Sequence, residues 1–172
     1  MGVTETLTER NAKFAETTFD SSLRMRPKLT TIVICCADTR VDPAVVLGAE
    51  PGEIMALRNI GGRVTPGTLD ELVMLRRVSQ STGGDMDSEW ELIVMQHTQC
   101  GITKIQDQHE LLAHYFQVGQ DRLQDESIAD PRAAVARDVA ALRAESRLNE
   151  GVRVSGLVYD VTTGRVETVV PA

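Results

Sequence analysis

The chain is poor in features that mark several protein classes. Aromatic residues are 3% of its 172 residues (three Phe, two Tyr and one Trp), too few for the base-stacking platforms of single-strand nucleic-acid binders. Basic charge is also short: 18 Lys and Arg stand against 25 Asp and Glu, for a formal net charge of -7. A phosphate backbone is bound by a basic surface, so nucleic acid is excluded as a partner. No apolar run approaches the roughly 18 residues of a spanning helix. The opening MGVTETLTER lacks the basic and apolar regions of a signal peptide. It fits the loose acylation pattern through Gly2 and Thr6, but Glu5 and Glu9 supply no polybasic second signal. The expectation is a cytoplasmic protein without a membrane partner. Cysteine is scarce and odd in number, three in all, which argues against a disulfide framework. Burial, metal binding or catalysis remain as uses for the thiols.

What is present is patterned. The length suits one domain over residues 1–172 with enough chain for a real core. Leu29 to Cys35, Ile54 to Asn59 and Leu92 to Gln96 read as short buried strands. Thr68 to Ser81 carries Leu69, Leu72, Val73, Leu75 and Val78 at the spacing of a helix with one packed face. Pro43 to Leu47 reads as a helical turn or two stopped at Gly48, and Ile102 to His114 as a helix. Pro131 to Leu148 is a longer helix with Asp130 as its cap and Pro131 at its first position. Val152 to Asp160 and Arg165 to Val170 form strands around Thr-Thr-Gly, a terminal hairpin. Thr4 to Glu16 is a thin amphipathic helix with Leu7, Ala12 and Phe14 as its apolar points, in need of another surface. Continuous apolar strands alternating with helices give an α/β fold: a mostly parallel β-sheet flanked by helices on both faces, with an N-terminal helical arm.

Ligands of such sheets gather beyond the carboxyl ends of the strands. There the chain places TIVICCADTR, Thr31 to Arg40, and ELIVMQHTQCG, Glu91 to Gly101. Cys36, His97 and Cys100 make a zinc set: two thiolates and an imidazole are preferred donors, and three protein ligands leave a fourth position open. Strand alternation turns Cys35 away from Cys36, so Cys35 reads as a small core residue. Asp38 and Arg40 read either as a surface ion pair of little consequence or, beside a metal, as a working pair. In the second case Arg40 holds Asp38 ionised and oriented. Asp38 then accepts a hydrogen bond from a metal-bound water, or takes the open metal position itself as a fourth ligand in a closed state. Asn59, Arg58 and Arg63 either line the pocket or brace its loops. His109 and His114 read as surface or interface residues.

CADTR followed by HTQCG resembles the β-class carbonic anhydrases, whose pattern is Cys-x-Asp-Ser-Arg and then His-x-x-Cys-Gly. LRNIGG (Leu57 to Gly62) and the closing VSGLVYDVTTGRV resemble further segments of that family. The resemblance implies a zinc lyase performing reversible hydration of carbon dioxide to bicarbonate and a proton by a zinc-bound hydroxide. It implies Cys36, His97 and Cys100 as Zn2+ ligands and Asp38 and Arg40 as the catalytic dyad. Residues 1–25 become an arm crossing to a second subunit, so the partners are the small-molecule substrate and a second copy, in a homodimer or a dimer of dimers. Hydrolysis of carbonyl sulfide or carbon disulfide on the same scaffold, or a non-catalytic zinc role, would keep the same ligands. Three departures stand out: Thr39 in the place of serine, Gln96 where many short members carry a second histidine, and no glutamine within residues 1–25.

Overall fold

In the computed structural model, which describes residues 2–172, the run TIVICC forms strand β1 (Thr31–Cys36) with every residue buried. A strand apolar on both sides must lie inside a sheet. β2 (Ile54–Asn59) pairs with β1 along one edge and β3 (Glu91–His97) along the other, both in parallel. β4 (Arg153–Asp160) joins β3 in parallel and β5 (Arg165–Val170) returns antiparallel, giving five strands in the order β2-β1-β3-β4-β5. The return is the expected hairpin, turned at Gly164 with φ +70°.

The helices start where sequence chemistry says they should. α3 (Pro66–Ser81) has Pro66 in its first turn and Thr65 as its cap, the hydroxyl accepting from the Thr68 amide. α5 (Pro131–Ala144) is capped by Asp130, which accepts from the amides of Arg132 and Ala133. Leu72 of α3 and Val135, Val139 and Leu142 of α5 pack with Ile32, Ile34, Leu92 and Val94 into the main core. Each such side chain contributes about 1.5–3 kcal/mol on burial.

Two helices end differently from expectation. α5 stops at Ala144 rather than Leu148, because Glu145 is in extended conformation and its carboxylate takes the Arg147 amide and guanidinium. Ile102 to His114 is divided into a 3-10 turn over Gly101–Ile105 and α4 (His109–Phe116). Gly101 and the β-branched Ile102, Thr103 and Ile105 make a poor α-helical start.

The second sheet face is thinly covered. Val33, Cys35 and Met95 are buried there against Val46 and Leu47 of α2 (Pro43–Leu47), while Ile93 and Leu157 are only partly covered. α1 (Val3–Thr17) has no buried residue, and its Leu7 and Phe14 remain 55% and 44% exposed. Among the described residues no helix is long and apolar enough to cross a membrane.

A buried ion pair ties the loop after β2 to α5. Arg63 donates from Nε and Nη2 to the two carboxylate oxygens of Asp138 at 2.8 and 3.0 Å, and its Nη2 lies 2.9 Å from Glu126 Oε2. Burial pushes the Asp138 carboxyl up, with Arg63 opposing that shift. Removing one partner of such a pair strands the other charge in the core. Asp138→Ala is therefore expected to cost about 3 kcal/mol, read by urea denaturation at a fixed chain concentration. A loss under about 1 kcal/mol, the size typical of surface pairs, would show that Glu126 alone suffices for Arg63.

Candidate metal centre

Parallel pairing sets Cys35 opposite Met95, so Cys36 and His97, the last residues of β1 and β3, both lie at the carboxyl edge of the sheet. The short turn after β3 then returns Cys100 to the same place. All three side chains are buried, and their ligand atoms lie within 4.8 Å of one another. Cys35 points to the other face, among Val33 and Met95, as strand alternation requires. His109 and His114 are exposed and outside the cluster.

The donors fit zinc. Tetrahedral Zn–S bonds of about 2.3 Å place two thiolates about 3.8 Å apart, and Cys36 Sγ and Cys100 Sγ are 3.8 Å apart. His97 Nδ1 lies 2.9 Å from the Thr98 carbonyl, which can only accept, so Nδ1 carries the proton. That leaves Nε2 with a free lone pair. Nε2 is buried, without a hydrogen-bond partner among the described residues. A bare imidazole nitrogen beside two dry thiols is costly unless a cation takes it. The thiols are unequal: the hydrogen bond from Cys100 holds Cys36 low, and Cys100 as donor is pushed up. A bound cation would bring both to thiolate and release the proton.

Asp38 and Arg40 lie close enough to the cluster to feel its charges. Asp38 caps the 3-10 turn Thr39–Val41, accepting from the Arg40 amide at 2.9 Å. The Arg40 guanidinium reaches back with Nε to Oδ1 at 3.0 Å and Nη2 to Oδ2 at 2.7 Å. This two-pronged hydrogen bond holds the Asp38 carboxyl far below the usual carboxylate range. Arg40 Nη2 also donates to the Gln99 carbonyl at 3.1 Å. Both Asp38 oxygens are thus committed to Arg40, and Asp38 stands outside the three-residue donor cluster.

The residues left open between pocket and brace are braces. Arg58 donates to the carbonyls of Cys36 and Asp38 and to the Asp42 carboxylate, stapling the loop beyond β1. Asn59 spans the next turn, bonding the carbonyl and amide of Arg63. At Gly62, with φ +63°, a Cβ would stand 2.7 Å from the Cys36 nitrogen, so only glycine lets this turn press against the Cys36 backbone. Gln96, fully buried, donates to the Gly62 carbonyl at 2.8 Å and holds the turn there. The departure from histidine at Gln96 therefore has a structural use that its sequence position did not disclose.

The chain is similar to known carbonic anhydrases over most of its length. A family profile described as carbonic anhydrase matches residues 31–166. The chain is 27% identical to a protein named β-carbonic anhydrase 1 from Mycobacterium tuberculosis, over 99% of this chain and all of that one. It superposes on the crystal structure of a carbonic anhydrase from Streptococcus mutans with TM-score 0.74 at 28% identity, covering 98% of both chains. It is also 27% identical to a carbon disulfide hydrolase from Acidianus over 78% of this chain and 74% of that protein. With its own Cys-His-Cys cluster in place, the chain belongs to the carbonic anhydrase family, in its β class.

Proposed function

We propose that the protein binds one zinc ion through Cys36, His97 and Cys100 and interconverts carbon dioxide and bicarbonate, with Asp38 and Arg40 as the working pair. The observation that carries this reading is the buried, unpartnered His97 Nε2 beside two thiols at zinc spacing, next to a carboxylate locked by arginine. When bound, zinc supplies Lewis acidity that brings the pKa of a ligated water from about 16 to about 7. Asp38, ionised throughout the physiological range, accepts a hydrogen bond from the attacking water and fixes which lone pair faces the carbon. Arg40 holds both Asp38 oxygens and, with zinc bound, would keep the carboxylate off the metal; release of that hold would give the closed state.

The protein acts as a homodimer, or a dimer of dimers, in the cytoplasm. Support for the dimer comes from α1, whose apolar side chains are exposed, and from the thin cover of the second sheet face. A thin amphipathic helix of this kind gains its stability by packing on another surface. Removal of residues 1–25 is expected to lower the oligomer size seen by light scattering; an unchanged size would place the subunit contact elsewhere.

A second reading, hydrolysis of carbon disulfide or carbonyl sulfide, draws on the likeness to the Acidianus hydrolase. Stopped-flow hydration of carbon dioxide, run beside a hydrogen sulfide assay on carbon disulfide and carbonyl sulfide, separates the two. Fast carbon dioxide turnover that rises with pH through about 7 is expected. Sulfide release without carbon dioxide turnover would establish the second reading instead. Zinc retained with neither activity would leave a non-catalytic role. Asp38→Ala is expected to keep its zinc and lose about 100-fold or more in kcat/KM, the scale of general acid–base assistance. Arg40→Leu is expected to lose activity with it, because Asp38 is then free to move onto the metal. An Arg40→Leu protein of full activity would remove the role given to the pair.

A further inference from the structure

The closing YDVTTG segment has no part in the reaction as described, yet its turn meets the metal loop. The Thr98 amide donates to the Tyr159 carbonyl at 3.0 Å. The Thr98 hydroxyl accepts from the Val161 amide at 3.1 Å and lies 3.4 Å from Asp160 Oδ1, to which it donates. Asp160 Oδ1 in turn accepts from the Thr162 amide at 2.7 Å, and the Asp160 carbonyl takes the Gly164 amide at 2.8 Å. Gln99 Nε2 reaches Thr162 Oγ1 at 3.2 Å. Two consecutive residues of the metal loop are thus tied to one turn of the hairpin.

Those two residues carry the carbonyls that matter. The Thr98 carbonyl takes the His97 Nδ1 proton, which sets the ring and its tautomer. The Gln99 carbonyl takes Arg40 Nη2. Between them Gln99 holds φ +55°, a left-handed conformation unfavourable for a residue with a Cβ, which persists where its surroundings impose it. The Thr98 hydroxyl is half-buried and joins both an amide and a carboxylate, so it is the point at which the turn holds the loop.

We propose that Thr98 and Asp160 are positioning residues: through them the β4–β5 turn fixes the Thr98 and Gln99 carbonyls, and so the orientation of the His97 ring and of Arg40. Neither residue touches the metal or the reacting atoms. Partners outside the ligand set are worth about 10–100-fold in metal affinity or activity when removed. The inference rests on the zinc reading of the site.

The test uses zinc-loaded full-length protein and two readouts, the rate of zinc transfer to a chelator and kcat/KM for carbon dioxide. Thr98→Val is expected to release zinc about tenfold faster and to lose about tenfold in kcat/KM, with Thr98→Ser within about twofold of the parent. Asp160→Ala acts in the same direction, and the double variant Thr98→Val/Asp160→Ala is no worse than the poorer single, as for two residues serving one contact. Should Thr98→Val fail to fold, Asp160→Asn, which keeps an acceptor, set against Asp160→Ala carries the same comparison. Thr98→Val matching Thr98→Ser in both readouts, or effects that multiply in the double variant, would overturn the proposal. If the parent protein holds zinc but does not turn over carbon dioxide while the zinc-release pattern appears, the positioning role stands and the carbon dioxide reading falls.

Discussion

The site depends on the parallel pairing of β1 with β3. In that register the strands end together, and every chemical group follows from the common edge: Cys36 from one strand, His97 from the other, and Cys100 from the turn that β3 leads into. A slip of one residue in β1 would exchange the faces of Cys35 and Cys36 and take Cys36 out of the donor cluster. The register is held by burial on both faces, with Ile32, Ile34, Leu92 and Val94 on one side and Val33, Cys35 and Met95 on the other. Core packing and ligand placement are thus one constraint.

A second layer of polar contacts fixes what the strands bring together. Arg58 holds the carbonyls of Cys36 and Asp38, Gln96 holds the Gly62 turn against Cys36, and Arg63 anchors that turn to Asp138 of α5. Arg40 spans both motifs, bonding Asp38 from the first and the Gln99 carbonyl from the second. Electrostatics beside the cluster and burial within it serve the same end. The thiols and imidazole are dry, while the carboxylate beside them stays charged because its counter-ion is fixed.

The parts legible in the sequence are those with local signatures. TIVICC and ELIVMQH announce buried strands by composition, Pro131 after Asp130 announces a helix start, and the donor types of Cys36, His97 and Cys100 announce a metal before any family is named. Helix ends were less legible. Glu145 leaves α5 for a contact with Arg147 that helical periodicity does not encode, and the chain from Ile102 to His114 conceals a break between two turns of different kind. Braces were legible only as one of two alternatives, and their partners not at all. Arg63 lies in a glycine-rich segment that reads equally as pocket wall or brace, and its partner Asp138 is far along the chain in an ordinary amphipathic helix. Thr98 and Asp160 share that difficulty, since a hydroxyl and a carboxylate at such separation disclose a bond only once the hairpin is folded.

X-ray absorption at the zinc edge on the purified protein tests the central claim most directly. The account predicts one zinc per chain with two sulfur ligands at about 2.3 Å and two nitrogen or oxygen ligands at about 2.0–2.2 Å, the fourth being water or the Asp38 carboxylate. A reduced, folded protein that takes up no zinc, or a zinc shell without sulfur, would contradict it.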